Sequence, residues 1–258
     1  MKRIAKAFEA AKKENRAVFA AYLTAGYPNE KDFLIQSQKL LQYADLFELG
    51  IPYSDPLGDG PTIQQSGAQV LNQGMTTTKT LELLKKLREK TEKPIVVMTY
   101  YNSIYCYHRG EEGFLEDLKA AGADGMILPD LPPDEADSLI PIARKLDLDT
   151  IFLIAPTSTP ERLKVVSEAS RGFIYAVSVT GVTGARQSLP SEVAGIVKNA
   201  KKYSDLPIVV GFGISGQETA KPVAKVADGI AVGSALIKAV ADNSLEPLAK
   251  EIAEACKR

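Results

Sequence analysis

The sequence contains few of the residues that build metal centres or disulfide frameworks. Its 258 residues include one histidine, His108, and two cysteines, Cys106 and Cys256, which lie far apart in the sequence. A metal site with several histidine ligands is therefore excluded, and a Ser-His-Asp triad would have to use His108, which we expect at the surface. Two isolated cysteines indicate a reducing compartment, and we expect both to be structural residues rather than nucleophiles.

Long apolar segments and an excess of one charge are also lacking. The chain has no run of about 18 apolar residues, and no apolar segment follows its charged first residues. Lysine and arginine number 31 and aspartate and glutamate 32, which gives a net charge of −1 without a long run of either sign. The sequence therefore predicts a soluble cytoplasmic protein with no nucleic-acid or membrane-surface role.

The chain does contain a regular alternation of short apolar runs and amphipathic segments, which indicates parallel strands joined by right-handed crossovers. Eight runs are candidate strands, at residues 18–24, 46–49, 95–100, 125–128, 150–153, 173–178, 208–211 and 229–232. With a length near the ~250 residues typical of the fold, they predict a single α/β domain, residues 1–258, folded as a (β/α)8 TIM barrel. A doubly wound open sheet remains an alternative, although no glycine-rich turn follows the first strand.

A short repeat supports the barrel. Asp45, Asp124 and Asp228 each follow an alanine and come directly before a predicted strand, as if one helix-to-strand corner were used three times. Ahead of the first strand, apolar residues between Ile4 and Ala11 recur at i, i+3, i+4 and i+7. This stripe predicts an extra N-terminal helix that covers the bottom of the barrel.

The second predicted strand carries a carboxylate, Glu48, toward the end of the barrel where active sites of this fold lie. Strand alternation puts Glu48 on the face opposite Phe47 and Leu49, which we expect to pack outward against helices. Glu48 is therefore predicted to point into the barrel mouth, where partial desolvation favours a raised pKa and proton exchange near neutral pH. The alternative is a structural glutamate held by a buried hydrogen bond.

A second carboxylate, Asp59, follows in a loop that contains several prolines and glycines. Aspartate beside glycine is a common turn residue, but two carboxylates that converge on one mouth can supply opposed acid and base roles. No predicted strand carries an inward lysine for a Schiff base. Carbon–carbon cleavage in this barrel would therefore have to use carboxylate acid–base catalysis.

Two glycine-rich loops predict a phosphate site. Gly213 follows the seventh strand, and Gly233 and Ser234 follow the eighth, where a short additional helix begins. Backbone N–H groups at a helix N-terminus hold an anion without lysine or arginine, and neither loop contains these residues. The loop at 179–188 is expected to be a mobile lid. Inward-facing positions that we expect to line a pocket for a flat aromatic ring are Tyr22, Met98, Ile127, Leu153 and Tyr175.

At these motifs the sequence resembles the tryptophan synthase α-subunit family. The matching stretches, in family order from the first strand to the last, are residues 24–28, 47–56, 59–64, 181–184, 211–215 and 233–234. The resemblance implies a lyase of tryptophan biosynthesis that cleaves indole-3-glycerol phosphate to indole and glyceraldehyde 3-phosphate, with no cofactor in this chain. It also implies a pyridoxal-phosphate-dependent β subunit as partner, in an α2β2 heterotetramer.

The resemblance also implies roles for individual residues. Glu48 would be the general acid–base residue, and Asp59 the carboxylate that meets the indole N–H. Thr183 would order Asp59 when the lid closes, and Tyr175 matches a pocket tyrosine. Family positions that bind phosphate are matched by Gly184, Gly213, Gly233 and Ser234. The loop that docks on the β subunit is matched by Pro52, Asp55 and Pro56.

Three positions depart from common family patterns. Tyr22 stands where phenylalanine is frequent, and its hydroxyl needs a partner in an apolar pocket. Gly58 replaces a usual alanine before Asp59, and Val179 occupies a lid position that is often basic. Two alternatives keep the same fold: a stand-alone lyase that releases free indole, and a barrel retained only as a binding partner.

Overall fold

The computed structural model describes residues 1–177, 189–211 and 213–258, and for residues 189 and 190 it describes the backbone alone. The predicted lid, with Val179, Thr183 and Gly184, lies outside the described residues. No helix in the described part of the chain is both long enough and apolar enough to span a membrane.

The strands form one parallel sheet that closes almost completely into a barrel. The strands are β1 (Val18–Thr24), β2 (Leu46–Gly50), β3 (Ile95–Met98), β4 (Gly125–Ile127), β5 (Asp149–Ile151), β6 (Leu153–Ile154), β7 (Ile174–Val177), β8 (Ile208–Gly211) and β9 (Gly229–Val232). Their order in the sheet is β5-β4-β3-β2-β1-β9-β8-β7-β6. Because only Phe152 separates β5 from β6, the two ends of the sheet meet. This arrangement confirms the predicted barrel and rules out the open doubly wound sheet.

Two predicted strands have different bounds in the structure. The fifth, at 150–153, is divided into β5 and β6, because its first half pairs with β4 and its second half with β7. The third ends at Met98 instead of Tyr100. The reason is that a helix begins at Tyr101, whose backbone N–H donates to the Asp130 carboxylate at 2.9 and 3.0 Å.

Helices surround the sheet, and several begin at a side-chain cap that the sequence supplies. The side chains of Asn29, Thr76 and Thr159 accept hydrogen bonds from backbone N–H groups of the first helical turn. The helices are α1 (Arg3–Lys13), α2 (Glu30–Leu40), α3 (Pro61–Asn72), α4 (Thr77–Arg88), α5 (Tyr101–Tyr105), α6 (Gly110–Ala120), α7 (Leu139–Lys145), α8 (Pro160–Ala169), α9 (Leu189–Ala200), α10 (Gln217–Ala224), α11 (Ser234–Ala241) and α12 (Leu245–Ala255), with a 3-10 turn at Pro133–Glu135.

Helix α1 is the predicted N-terminal helix, and it closes the bottom of the barrel. Ile4, Phe8 and Ala11 are buried and belong to the apolar cluster inside the barrel. The Phe8 ring lies 5.8 Å from that of Phe173, centroid to centroid. The Lys2 ammonium, just before the helix, lies 2.7 Å from the buried Asp149 carboxylate. Apolar contact and an ion pair therefore both hold α1 on the strand starts.

The three repeated aspartates form the same corner, as the repeat predicted. The Asp45 carboxylate accepts the Phe19 N–H at 2.9 Å, and Asp124 and Asp228 accept from Ile95 and Ile208 at 2.8 Å. Each carboxylate is also paired with a cation, from Arg16, Arg88 and Lys201 respectively. Each aspartate thus ties the start of its own strand to that of a neighbouring strand, in β1, β3 and β8.

Two apolar clusters follow from strand alternation. Phe47 and Leu49 belong to the cluster between strands and helices, whereas Leu46 belongs to the cluster inside the barrel. Glu48, two residues after Leu46 on the same face, therefore stands above the inner cluster at the C-terminal end of β2. Strand β2 therefore supplies both Leu46, in the apolar cluster inside the barrel, and Glu48, above that cluster.

Candidate active site

A cavity of about 140 Å³ opens at the C-terminal ends of the strands. Of the residues predicted for the site, it brings together Tyr22, Glu48, Asp59, Met98, Tyr175, Gly213, Gly233 and Ser234. They come from both ends of the chain, from β1 to the start of α11, and the barrel closure makes them neighbours. The other lining residues are Gly60, Ile63, Ile214, Ala231 and Val232, which the sequence did not single out.

Glu48 is the most unusual group in the cavity. Its side chain is 1% exposed, and its Oε1 atom has no hydrogen-bond partner among the described residues. Burial raises the pKa of the carboxyl from its usual 4.5 to about 8, because the charged form is desolvated. An oxygen without a partner argues against a merely structural role, since buried polar groups are normally hydrogen-bonded.

Asp59 faces the same cavity from the loop before α3. Burial raises the pKa of its carboxyl to about 6, although a hydrogen bond from the Tyr100 hydroxyl lowers it. The backbone carbonyl of Asp59 accepts from the Gln64 side chain at 2.8 Å, and Pro61 begins the helix. The start of α3 therefore fixes the loop that carries Asp59. Near neutral pH the two carboxyls thus differ, with Glu48 largely protonated and Asp59 largely ionised.

Tyr100 is a site residue that the sequence reasoning missed. Its hydroxyl accepts the Gly58 backbone N–H at 2.9 Å while it hydrogen-bonds to the Asp59 carboxylate. Its ring stacks on Tyr53 with centroids 5.1 Å apart and an interplanar angle of 23°. A hydroxyl at the C-terminal end of the third predicted strand was the signal that could have identified it.

Glycines at strand ends make room for the two cavity tyrosines. A Cβ atom on Gly50 would lie 2.1 Å from the Tyr22 hydroxyl oxygen, and one on Gly211 would lie 2.1 Å from that of Tyr175. The tyrosine rings thus lie over bare backbone of the neighbouring strand. The Tyr22 hydroxyl, for which the sequence suggested no partner, lies 3.4 Å from the Thr24 hydroxyl.

The opposite side of the cavity is formed by the two glycine-rich loops. Gly213 has a φ of +74°, which favours glycine, and Gly233 directly precedes the first residue of α11, Ser234. The first N–H groups of a helix have no partner within that helix, so those of α11 are directed at this end of the cavity. Neither loop contains lysine or arginine. Gly184 lies outside the described residues.

Two residues predicted for the pocket are not among those that line it. Ile127 is 1% exposed and lies in the apolar cluster inside the barrel, beneath the cavity. Leu153 is partly buried and packs against the same cluster. Both face inward as the alternation predicted, yet neither lines the cavity, whereas Met98 and Tyr175, which pack against the same cluster, do. Inward direction alone therefore does not identify a pocket residue.

The remaining predictions concern surface and metal chemistry. Pro52 is buried, Asp55 is exposed and Pro56 is partly exposed, so the loop predicted to dock on a partner presents its tip to solvent. His108 is exposed, as expected, and Cys106 is exposed while Cys256 is buried. Within residues 1–177, 189–211 and 213–258, no cluster of three or more His, Cys, Asp or Glu could hold a metal ion.

Comparisons with known proteins agree with this geometry. The family model of the tryptophan synthase alpha chain matches residues 8–257. The tryptophan synthase alpha chain of Deinococcus radiodurans is 50% identical over 260 aligned residues, which cover 100% of this chain and 96% of that relative. That of Methanocaldococcus jannaschii is 45% identical over 239 residues, 92% of this chain and 84% of the relative.

Solved structures show the same similarity. The structure of Mycobacterium tuberculosis tryptophan synthase contains a chain that matches with a TM-score of 0.93 and 39% identity, over 100% of this chain and 99% of that one. The tryptophan synthase α subunit of Legionella pneumophila matches with a TM-score of 0.90 and 33% identity, over 99% and 98% of the two chains. The chain therefore belongs to the tryptophan synthase alpha chain family.

Proposed function

We propose that the chain cleaves indole-3-glycerol phosphate to indole and glyceraldehyde 3-phosphate in the cavity at the strand ends. The observation that carries the proposal is the buried Glu48 carboxyl, which has a pKa of about 8 and an oxygen with no partner in the described part of the chain. Asp59, with a pKa of about 6, lines the same cavity. Two carboxyls with separated pKa values supply a proton donor and an anion at the same pH.

Glu48 carries the proton in this scheme. Its protonated carboxyl donates to the ring carbon that bears the glycerol chain, and the carboxylate then takes the proton of the adjacent glycerol hydroxyl. The carbon–carbon bond breaks as that hydroxyl becomes an aldehyde, and its electron pair returns to the ring. Glu48 ends protonated, as it began, and a pKa near the working pH suits both transfers.

Asp59 stabilises the intermediate. Protonation of the ring carbon leaves positive charge on the ring nitrogen, and an ionised carboxylate beside its N–H offsets that charge. The lower pKa of Asp59 keeps it ionised while Glu48 is still protonated. The Tyr100 hydroxyl, which hydrogen-bonds to Asp59, holds the carboxylate in place.

The phosphate of the substrate is assigned to the Gly213 and Gly233 loops. Unpaired N–H groups at the start of α11 can hold the anion, and a bare glycine lets it approach the backbone. Ser234 adds a hydroxyl at the same helix start. Gly184 and the lid residue Thr183 are assigned to substrate closure by the family resemblance alone.

A partner is proposed for the surface beside Asp59. Leu57, between Pro56 and Gly58, is 94% exposed, and Tyr105 on α5 is 71% exposed. Exposed apolar groups next to a catalytic loop are typical of a docking surface. We assign it to the β subunit, in a cytoplasmic α2β2 heterotetramer, with Asp55 and the adjacent prolines at the contact. The β subunit would hold pyridoxal phosphate, while this chain would use no cofactor.

Indole release from indole-3-glycerol phosphate by the purified chain, alone and with a β subunit, tests the proposal. We expect release that rises with the partner and is nearly lost in Glu48→Gln, which keeps the side-chain shape but cannot exchange the proton. Glu82→Gln, at an exposed position of α4, is the matched control and should leave the rate unchanged. High activity without dependence on the partner would favour the stand-alone lyase, and no activity with the partner would refute the assignment.

A further inference from the structure

The Tyr22 hydroxyl is a polar group in the cavity that the proposed reaction does not use. The base of its ring lies at the phosphate end, where a Cβ atom on Gly233 would be 3.3 Å from Tyr22 Cδ1 and 3.5 Å from its Cβ. Its hydroxyl lies at the other end, over Gly50. The side chain therefore spans the cavity, and its hydroxyl is located where the ring of the substrate, rather than the phosphate, would bind.

The hydrogen bonds around Tyr22 leave its hydroxyl proton with a long, weak hydrogen bond to Thr24. The Ser66 hydroxyl donates its hydrogen to the Ile63 carbonyl at 2.8 Å. In its 2.7 Å hydrogen bond with the Thr24 hydroxyl, Ser66 must therefore be the acceptor and Thr24 the donor. The Thr24 hydrogen is thus also committed, and Thr24 can only accept from Tyr22. That contact is 3.4 Å long, against about 2.5–3.0 Å for an ordinary O–H···O bond. A better-placed acceptor in the cavity would outcompete it.

The surroundings of the hydroxyl also favour a ligand. Tyr22 is 6% exposed, and burial, followed by the negative charges of Asp59 and Glu48, raises its pKa far above the usual value. The group is therefore a neutral phenol, able to donate and to accept. Against an unsubstituted ring, its one hydrogen bond to a described residue is the long bond to Thr24, whereas a ring hydroxyl would satisfy it. Buried polar groups discriminate strongly between ligands that do and do not pair with them.

We propose that Tyr22 is a specificity-determining residue, and that its hydroxyl binds a hydroxyl substituent on the indole ring. The pocket then accepts ring-hydroxylated indole-3-glycerol phosphates as well as the plain compound. This inference rests on the proposed function, because that function puts an indole ring in the cavity.

The test compares binding of indole, the four benzo-ring hydroxyindoles and the four methylindoles substituted at the same positions, by calorimetry on the intact chain. Each methylindole controls for the size of the substituent. For at least one position, Tyr22→Phe should lower the hydroxy-to-methyl affinity ratio about threefold to tenfold. Indole affinity should be unchanged or higher. Tyr203→Phe, at an exposed tyrosine outside the cavity, should leave every ratio as it is. Equal ratios in wild type and Tyr22→Phe at all four positions would overturn the proposal.

A second variant and a second reaction make the result specific. Thr24→Val removes the acceptor that competes for the Tyr22 hydroxyl. The hydroxy-to-methyl affinity ratio that falls in Tyr22→Phe should therefore be equal to or higher than that of wild type in Thr24→Val. A lower ratio would contradict the inference. Condensation of indole with glyceraldehyde 3-phosphate, the reverse reaction, should proceed in wild type and in Tyr203→Phe. Failure in both would refute the proposed function, whereas condensation with unchanged binding ratios would refute the role of Tyr22 alone.

Discussion

Replacing Glu48 with glutamine should stabilise the fold at alkaline pH while it removes the activity. The Glu48 carboxyl, 1% exposed, has its pKa raised by burial from the usual 4.5 to about 8. Between these two values the unfolded chain loses the proton and the folded chain keeps it. The folded state therefore binds more protons, and the contribution of Glu48 to stability falls as the pH rises from 4.5 toward 8.

The magnitude follows from the same two pKa values. From these pKa values, titration of Glu48 lowers the free energy of unfolding by about 1 kcal/mol at pH 5 and by about 4 kcal/mol at pH 8, relative to a side chain that does not titrate. Glutamine does not titrate, and the cost of burying its amide is the same at both pH values. The stability of Glu48→Gln relative to wild type should thus increase by roughly 3 kcal/mol from pH 5 to pH 8.

Urea unfolding of the isolated chain, followed by circular dichroism at both pH values, measures this difference. Other titrating groups are present in both proteins and cancel. Glu82→Gln is the control, because it makes the same substitution at an exposed position of α4. A stability difference between Glu48→Gln and wild type that does not depend on pH would refute the raised pKa, and with it the argument for proton transfer at neutral pH.

Three further outcomes are expected. Burial raises the pKa of Asp59, and the hydrogen bond from the Tyr100 hydroxyl lowers it. Tyr100→Phe removes that hydrogen bond and should move the acid limb of the pH profile of kcat/KM to higher pH. An acid limb at the same pH would contradict the contact between Tyr100 and Asp59. Asp124→Ala removes the acceptor for the backbone N–H of Ile95 and leaves Arg88 without its carboxylate. Urea unfolding should therefore show a free energy of unfolding lower by about 2–3 kcal/mol. A negligible decrease would mean that this corner does not stabilise the barrel. Gly233→Val should raise KM far more than it lowers kcat, because its side chain would lie beside Tyr22 and Ile63 at the end of the cavity assigned to the phosphate. An unchanged KM in steady-state assays would remove the phosphate from this loop.

Much of the site could be predicted because the alternation of side chains along a strand and the end of the barrel at which active sites lie can both be read from short stretches of sequence. The face of Glu48 follows from the apolar residues on either side of it, and its end of the strand is where this fold carries chemistry. The repeated aspartates could be recognised as corners before their hydrogen bonds were seen. In each case the information lies within a few consecutive residues.

Other features depend on distances between segments that are far apart in the sequence. Ile127 and Met98 are aligned in register and both face inward, yet only Met98 reaches the cavity. Tyr100 was expected to end a strand, but it precedes a helix and meets the loop that carries Asp59. No pattern within either segment indicates which inward-facing residue borders the cavity or which loop packs against it.

The sequence by itself determined the alternation of strands and helices and the residue types at the strand ends. It did so because side-chain direction repeats every two residues in a strand and because parallel strands require crossovers. The tertiary structure decided that the sheet closes into a barrel, and it decided how those residues act. It buried Glu48 where no described residue donates a hydrogen bond to Oε1, gave Asp59 the Tyr100 hydroxyl, and left Tyr22 with a long bond to Thr24. Burial and pairing set proton affinity, and both depend on neighbours that only the folded chain brings together.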